Sequence, residues 1–365
     1  MKKSLKLVAV AASLTLITGV AVAPTAQAAK IKLCLALDTG GVDDRSFNAS
    51  AWAGAKASKV ATAEYLPAAS SADYAPNIKT FVDKGCELII GVGYLTTSAI
   101  KDAAIANPKV KFAIIDDVIE GVSNAKSITF QTDEAAFMAG YLAAGMSKTK
   151  KVATYGGMAF PSVTIFMNGF ARGVTHWNKN NAKQVQVLGW DPAKPDAGVF
   201  VGDFADQNKA LQISNNFEQQ GADIILPVGG VLGASYAAAS EKSTKKNKPL
   251  TIWVDSDGYN TLPAGKSVLL TTVLKEIGAS VQAVAADVAA KKFNNSKYVG
   301  TLKNKGVALA PYHDLDKKVP AKLKSEILKM KTQIIKGTLD ITANKSLSLK
   351  YKENRGLFTK PPIFC

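Results

Sequence analysis

The stretch Asp38-Thr39-Gly40-Gly41-Val42-Asp43-Asp44-Arg45-Ser46-Phe47-Asn48 packs carboxylates, two adjacent glycines, an aromatic ring and an amide into one short segment. It lies between an apolar run at 31–37 and an alanine-rich, helix-like segment at 49–61. A strand that breaks at an acid, turns on glycine and restarts as a helix presents its polar side chains at the carboxyl edge of a sheet, where open α/β sheets bind ligands. The glycines permit a tight turn and close backbone approach, Asp44 or Ser46 is placed to cap the helix, and Phe47 falls in its first turn. An acid for hydroxyls beside a ring for stacking points to a small, flat, polar ligand. The alternative is a capped turn whose Phe47 simply joins the core.

Acids and glycines recur where other apolar runs end: Gly91-Val92-Gly93, Asp116-Asp117, Gly156-Gly157, Gly229-Gly230 and Asp255-Ser256-Asp257. Phe204 sits in a polar loop, Val201-Gly202-Asp203-Phe204-Ala205-Asp206, and Lys275 lies just beyond a late strand-like run. Asp38, Asp116, Asp255, Gly230, Phe47, Phe204 and Lys275 therefore form a candidate binding constellation. A ring from each of two lobes would clamp a planar base. The plainer alternatives are a Phe204 docked on its own domain and a Lys275 on the surface.

Several chemistries are excluded. His176 and His313 are the only histidines and lie far apart, so a histidine metal site or a Ser-His-Asp triad is not expected. Gly140 and Gly145-Met146-Ser147 imitate a phosphate loop, but methionine replaces the required lysine and the segment reads as helix. Gly91-Val92-Gly93 lacks the third glycine of a dinucleotide fingerprint, and Gly229-Gly230-Val231-Leu232-Gly233 has the wrong spacing. No cofactor, no metal and no catalytic residue are expected.

The elements that would position these residues alternate. Apolar runs at 31–37, 88–90, 110–115, 151–155, 222–228, 250–254 and 267–272 are mostly followed by helix-like segments, the pattern of parallel sheets covered by helices on both faces. Two sheets fit better than one very wide one, with the break near 127–132. Residues 267–274 are expected to cross back, because 275–291 reads as a long amphipathic helix suited to the first domain. Residues 178–196 read as an irregular, partly exposed connection. The expected division is lobe 1 at 29–130 with about 268–300, lobe 2 at 131–267 with about 301–343, and a basic extension at 344–365.

Residues 1–28 read as an export leader, with Lys2, Lys3 and Lys6 ahead of an apolar stretch and Ala26-Gln27-Ala28 as the cleavage motif. No lipidation cysteine accompanies it, so an exported protein of the periplasm or of the outer face of the cell membrane is expected. The net charge of +16 falls to about +13 without the three leader lysines. The remaining lysines cluster late with few aromatics between them, a solvated face rather than a nucleic-acid groove. Cys34, Cys86 and Cys365 make no disulfide framework. Export permits a Cys34–Cys86 bridge, but two buried free thiols are the expectation.

The run LALDTGGVDDRSFNASAWAGAKA resembles the N-terminal signature of the basic membrane protein family, the purine-nucleoside-receptor-like substrate-binding proteins of ABC importers. KFAIIDD, ITFQTDEAAFMAGYLAA, GGMAFPSVTIFMNGFARG, GADIILPVGGVLGASYAAA, TIWVDSDGY and YVGTLKNKGVALAPY extend the similarity in order, over about residues 30–341. The resemblance implies a type I periplasmic-binding-protein fold: two doubly wound α/β lobes, three crossings and a ligand in the cleft. It implies that Phe47 and Phe204 sandwich a purine and that Asp116 binds its polar edge with Asn48. Asp38, Gly230, Asp255 and Lys275 would hold the ribose hydroxyls, with Asp257 as the substitute for Asp255. It further implies an ABC permease as partner, and a monomer is expected. Rival readings are a sugar or signalling-molecule receptor on the same fold, a nucleoside-processing enzyme, and an adhesion protein that uses its charge.

Overall fold

The computed structural model describes residues 30–342; the leader and the basic extension lie outside the described residues. The chain opens with β1 (Ile31–Leu37), α1 (Phe47–Ala57), β2 (Ala61–Leu66), α2 (Tyr74–Asp83), β3 (Leu88–Val92), α3 (Thr97–Ala106), β4 (Lys111–Ile115) and β5 (Ala125–Phe130). It then enters a second lobe through α4 (Thr132–Met146), β6 (Lys151–Gly156), α5 (Pro161–Asn181), β7 (Gln186–Leu188), α6 (Gln207–Gln219), β8 (Ile224–Val228), α7 (Ala234–Lys242), β9 (Leu250–Asp255), the short α8 (Gly258–Thr261) and β10 (Leu269–Lys275). Next, α9 (Ile277–Ala289) and β11 (Tyr298–Gly300) return to the first lobe. Finally β12 (Val307–Leu309) and α10 (Ala321–Ile335) finish in the second.

Each lobe holds a six-stranded sheet, ordered β11-β5-β4-β3-β1-β2 and β12-β10-β9-β8-β6-β7. Pairing is parallel except where β12 runs against β10, with Val273 opposite Leu309. The central strands are buried on both faces, which is why β3 and β8 read as unbroken apolar runs and β1 is interrupted only at its start by Lys32. In both sheets the strand order reverses at the first strand of the lobe, between β1 and β3 and between β6 and β8, the place where such sheets leave a crevice. The lobes are joined where β5 leads into α4, where β10 leads into α9, and where β11 leads into β12.

Three expectations need correction. The crossing expected at about 268 comes after Lys275, because Leu269–Lys275 pairs with β9 along its length and belongs to the second sheet. Residues 178–196 are not wholly irregular: α5 runs to Asn181, β7 pairs with β6, and Trp190 is buried with its indole N–H on Asn168 Oδ1 at 3.1 Å. The segment read as helix rather than as a phosphate loop is helical, and it packs so closely on α5 that a side chain at Gly140 or Gly173 would strike the partner helix's backbone. The two thiols expected to be free form a Cys34–Cys86 disulfide. Strand pairing explains it, because Cys34 of β1 lies opposite Ile89 of β3 and Cys86 just precedes that strand, bringing their Cα atoms to 6.1 Å.

Candidate functional site

The carboxyl ends of both sheets face one another and border a cleft of about 580 Å³ that is open to solvent. Its wall in lobe 1 is built largely by the β1–α1 turn. Asp44, which with Ser46 was an open choice for the helix cap, takes that work: its carboxylate accepts from the amides of Ser46 (2.9 Å), Asn48 (2.8 Å) and Ala49 (3.0 Å). These are amides that α1 leaves without an intrahelical partner. Asn48 donates its side-chain N–H to Asp38 Oδ1 at 2.8 Å and to Asp44 Oδ2 at 3.2 Å. That fixes the amide orientation and leaves its Oδ1, buried at the cavity, without a hydrogen-bond donor. Asp38 also accepts from Gly40 N at 3.0 Å and packs against Gly93, where no side chain would fit.

Lobe 2 contributes a more apolar wall. Phe204 lies against Gly157 and 6.1 Å, ring centre to ring centre, from Phe160 at the start of α5. Phe160 in turn stacks on Tyr94 of lobe 1, at 4.4 Å and 24° between planes. Phe166, Val163, Val228, Gly229 and Gly230 complete this side with Asp255.

Lys275 is the electrostatic centre. It is 5% exposed, pairs with Asp116 of lobe 1, and stands 3.8 Å from Asp255 Oδ1 of lobe 2. The rings of Phe47, Phe166 and Phe130 surround its ammonium at 5.1, 5.2 and 5.5 Å. Such a cation is stabilised by ring faces as well as by carboxylates. A second bridge between lobes runs through Ser46, whose Oγ lies 2.8 Å from both Val254 O and Asp255 Oδ2, and through Ser256 Oγ, which donates to Arg45 O at 3.0 Å.

Four acids share this small space and burial acts on all of them. Loss of solvent pushes Asp38 and Asp255 up to about 6, the first against hydrogen bonds from Asn48 and Gly40, the second against the Lys275 charge. Burial also raises Asp116, opposed by Lys275, and Asp44, opposed by its capping amides. Asp116 and Asp255 end their strands with left-handed backbone, φ +72° and +67°. Only glycine, asparagine and aspartate adopt that conformation readily.

All eight residues singled out in the sequence, Asp38, Phe47, Asn48, Asp116, Phe204, Gly230, Asp255 and Lys275, line this one cavity. Phe47 and Phe204 are both half-buried and line the cleft from different lobes, neither lost in a separate interior. Asp257 turns elsewhere, to His313 Nε2 at 2.8 Å and the first turn of α8, so Asp255 is the acid at the cavity. Within the chain, Asn48 is held by Asp38 and Asp44, and Asp116 by Lys275. Tyr94, Phe160, Phe166, Asp44 and Ser46 are wall or latch residues that were not assigned a binding role from sequence. For Tyr94 and Phe160 the available signal was an aromatic closely following Gly93 and Gly157, two glycines at strand ends.

Comparison with known proteins agrees with this architecture. The chain is 32% identical over 328 residues to a CD4+ T-cell-stimulating antigen of Listeria monocytogenes, covering 85% of this chain and 87% of that one. It is 30% identical over 329 residues to the ABC transporter nucleoside-binding protein BmpA of Lactococcus lactis, covering 85% and 89%. Among solved structures, an ABC transporter solute-binding protein of Aeropyrum pernix K1 superposes with a TM-score of 0.76 at 19% identity, covering 89% of this chain and 97% of that one. The two parallel-sheet lobes are those of a type I periplasmic-binding-protein fold. Residues 31–345 match the family described as ABC transporter substrate-binding protein PnrA-like, and the chain belongs to that family.

Proposed function

We propose that the protein closes on a purine nucleoside in the interlobe cleft and delivers it unchanged to an ABC permease. The observation that carries this reading is the meeting of Phe47 and Phe204, one ring from each lobe, with Asp38, Asp255 and Lys275 around a single cavity of about 580 Å³. Stacking on each ring is worth on the order of 1–3 kcal/mol. The polar wall is rich in acceptors: four carboxylates and the unpaired Asn48 Oδ1 face one ammonium. A partner for it must bring donors, as ribose hydroxyls and base N–H groups do, while a phosphate would be repelled. Asp38 and Asp255 are the acceptors for ribose in this reading, Gly230 allows close approach, and Asn48 with Asp116 meets the base edge.

The nucleoside-binding name of the Lactococcus lactis relative supports the choice of ligand. The leader at 1–28 supports action outside the cytoplasm, as does the family. Calorimetry of the mature protein with adenosine, guanosine, inosine and free ribose tests the proposal. Heat with a nucleoside and little with ribose is expected. Silence with every nucleoside but binding of a sugar would assign the cleft to a carbohydrate, and release of free base on incubation would assign it to an enzyme.

A further inference from the structure

Two lysines are buried among the described residues, and they are treated oppositely. Lys275 has two carboxylates; Lys126 of β5, 8% exposed, has no carboxylate in ion-pair range among the described residues. Its ammonium donates only to uncharged acceptors, the backbone and side-chain oxygens of Asn294, each at 3.2 Å. A lysine offers three N–H donors, and a buried charge is normally paired. The group that Lys126 lacks is an anion.

Space for one adjoins it. A second cavity of about 540 Å³ lies in lobe 1, apart from the interlobe cleft, lined by Lys126, Ile128, Ser280, Val284, Asp287 and Tyr298 among others. Topology creates it. β11 pairs with β5 only from Ile128 to Phe130, so the beginning of β5 has no strand on that side. α9 passes over the gap with Ser280, Val284 and Asp287 on one face, the spacing of one and two helical turns. Ser280 is already engaged, donating to Ile277 O at 2.7 Å, so the charges that remain are the buried Lys126, the half-buried Asp287 and, exposed to solvent, Lys297.

We infer that this pocket binds a small zwitterion, an α-amino acid with an apolar side chain, its carboxylate on Lys126, its ammonium on Asp287 and its side chain on Ile128 and Val284. A simple cation would meet the buried Lys126 as a repelling charge, and a simple anion would be repelled by Asp287, with the solvent-screened Lys297 offsetting only part of that. A molecule with both charges a few bonds apart satisfies each. The apolar lining then favours a branched aliphatic side chain over a polar one.

L-Leucine is the probe, with 3-methylbutanoate and 3-methylbutylamine as its two halves, titrated calorimetrically into the mature protein. The expected result is one leucine per chain, with each half binding at least about tenfold more weakly. Lys126→Met and Asp287→Asn should each weaken leucine by about tenfold or more. Asn294→Ala, which removes the neutral acceptors and keeps the charge, should retain it. Asp287→Asn alters a half-buried group and keeps the test decisive should Lys126→Met not fold. Leucine should bind equally in protein saturated with adenosine, and the titration without nucleoside stands whether or not the cleft takes one. Absence of leucine binding at millimolar concentration, or binding unchanged by both Lys126→Met and Asp287→Asn, overturns the inference.

Discussion

The two walls of the interlobe cleft are made differently. In lobe 1, Asp38, Asp44, Phe47 and Asn48 come from a single turn, and the three polar side chains are bonded to one another before any ligand arrives. In lobe 2, Phe160, Phe166, Phe204, Gly230, Asp255 and Lys275 come from five separate places in the chain and meet only through the sheet. A polar group held by neighbours has a fixed direction, whereas a wall of rings and glycines tolerates small shifts. The first wall therefore suits orientation and the second closure. Lys275 and Ser46 tie the two together.

The largest effect should come from breaking that tie. Lys275→Met would leave Asp116 and Asp255 facing each other in the interior, and losing one partner of a buried ion pair costs about 3–5 kcal/mol. Chemical denaturation should show a loss of that order at pH 7, partly recovered at pH 5 as the stranded acids take up protons. A loss near zero would mean the lobes are held elsewhere. Next come the rings: Phe47→Ala and Phe204→Ala should each weaken nucleoside binding by roughly tenfold or more, read by calorimetry. If only Phe47→Ala does so, the second wall encloses the ligand without gripping it.

Proton linkage separates the walls from the fold. Asp38 and Asp255 stand near 6 when folded against 3.8 as the ordinary value, raised by burial. Between about pH 4 and 6 the folded chain binds protons that the unfolded chain has released, so the unliganded protein loses stability as pH rises through this window. Asp38→Asn should consequently flatten the stability profile and raise Tm at pH 7. In the wild type, nucleoside affinity should fall as pH drops through about 6, because hydroxyls lose their charged acceptors. Titrations at pH 7.5 and 5 read this directly. The smallest effect concerns the Tyr94–Phe160 stack across the mouth. Such pairs are worth about 0.5–1.5 kcal/mol, so Phe160→Ala should speed ligand release by roughly two- to tenfold in stopped-flow measurements, with little change in the association rate.

The same contrast governs what was legible in the sequence. The first wall is contiguous, so residue types and spacing displayed it: acid, glycines, cap, ring. Asp116, Asp255 and Gly230 were visible because buried parallel strands announce their own ends. Phe160 and Tyr94 required knowing which strand ends meet, information that resides in strand order. β2 was not foreseen because Ala61–Leu66 is a largely half-exposed edge with weak apolar signal, and β11 and β12 are only three residues each. The Cys34–Cys86 bridge escaped for a related reason: its partners are 52 residues apart and become neighbours only through the β1–β3 pairing.

The left-handed backbone at Asp116 and Asp255 carries an evolutionary consequence. Most replacements there would strain the chain, but asparagine occupies the same region of conformational space at little cost. Exchanging one oxygen for an amide nitrogen turns an acceptor into a donor without moving an atom of the scaffold. Descendants of such a chain have a cheap route to new cargo: at these two hinges of the strand ends, selectivity drifts along a path the backbone has already left open.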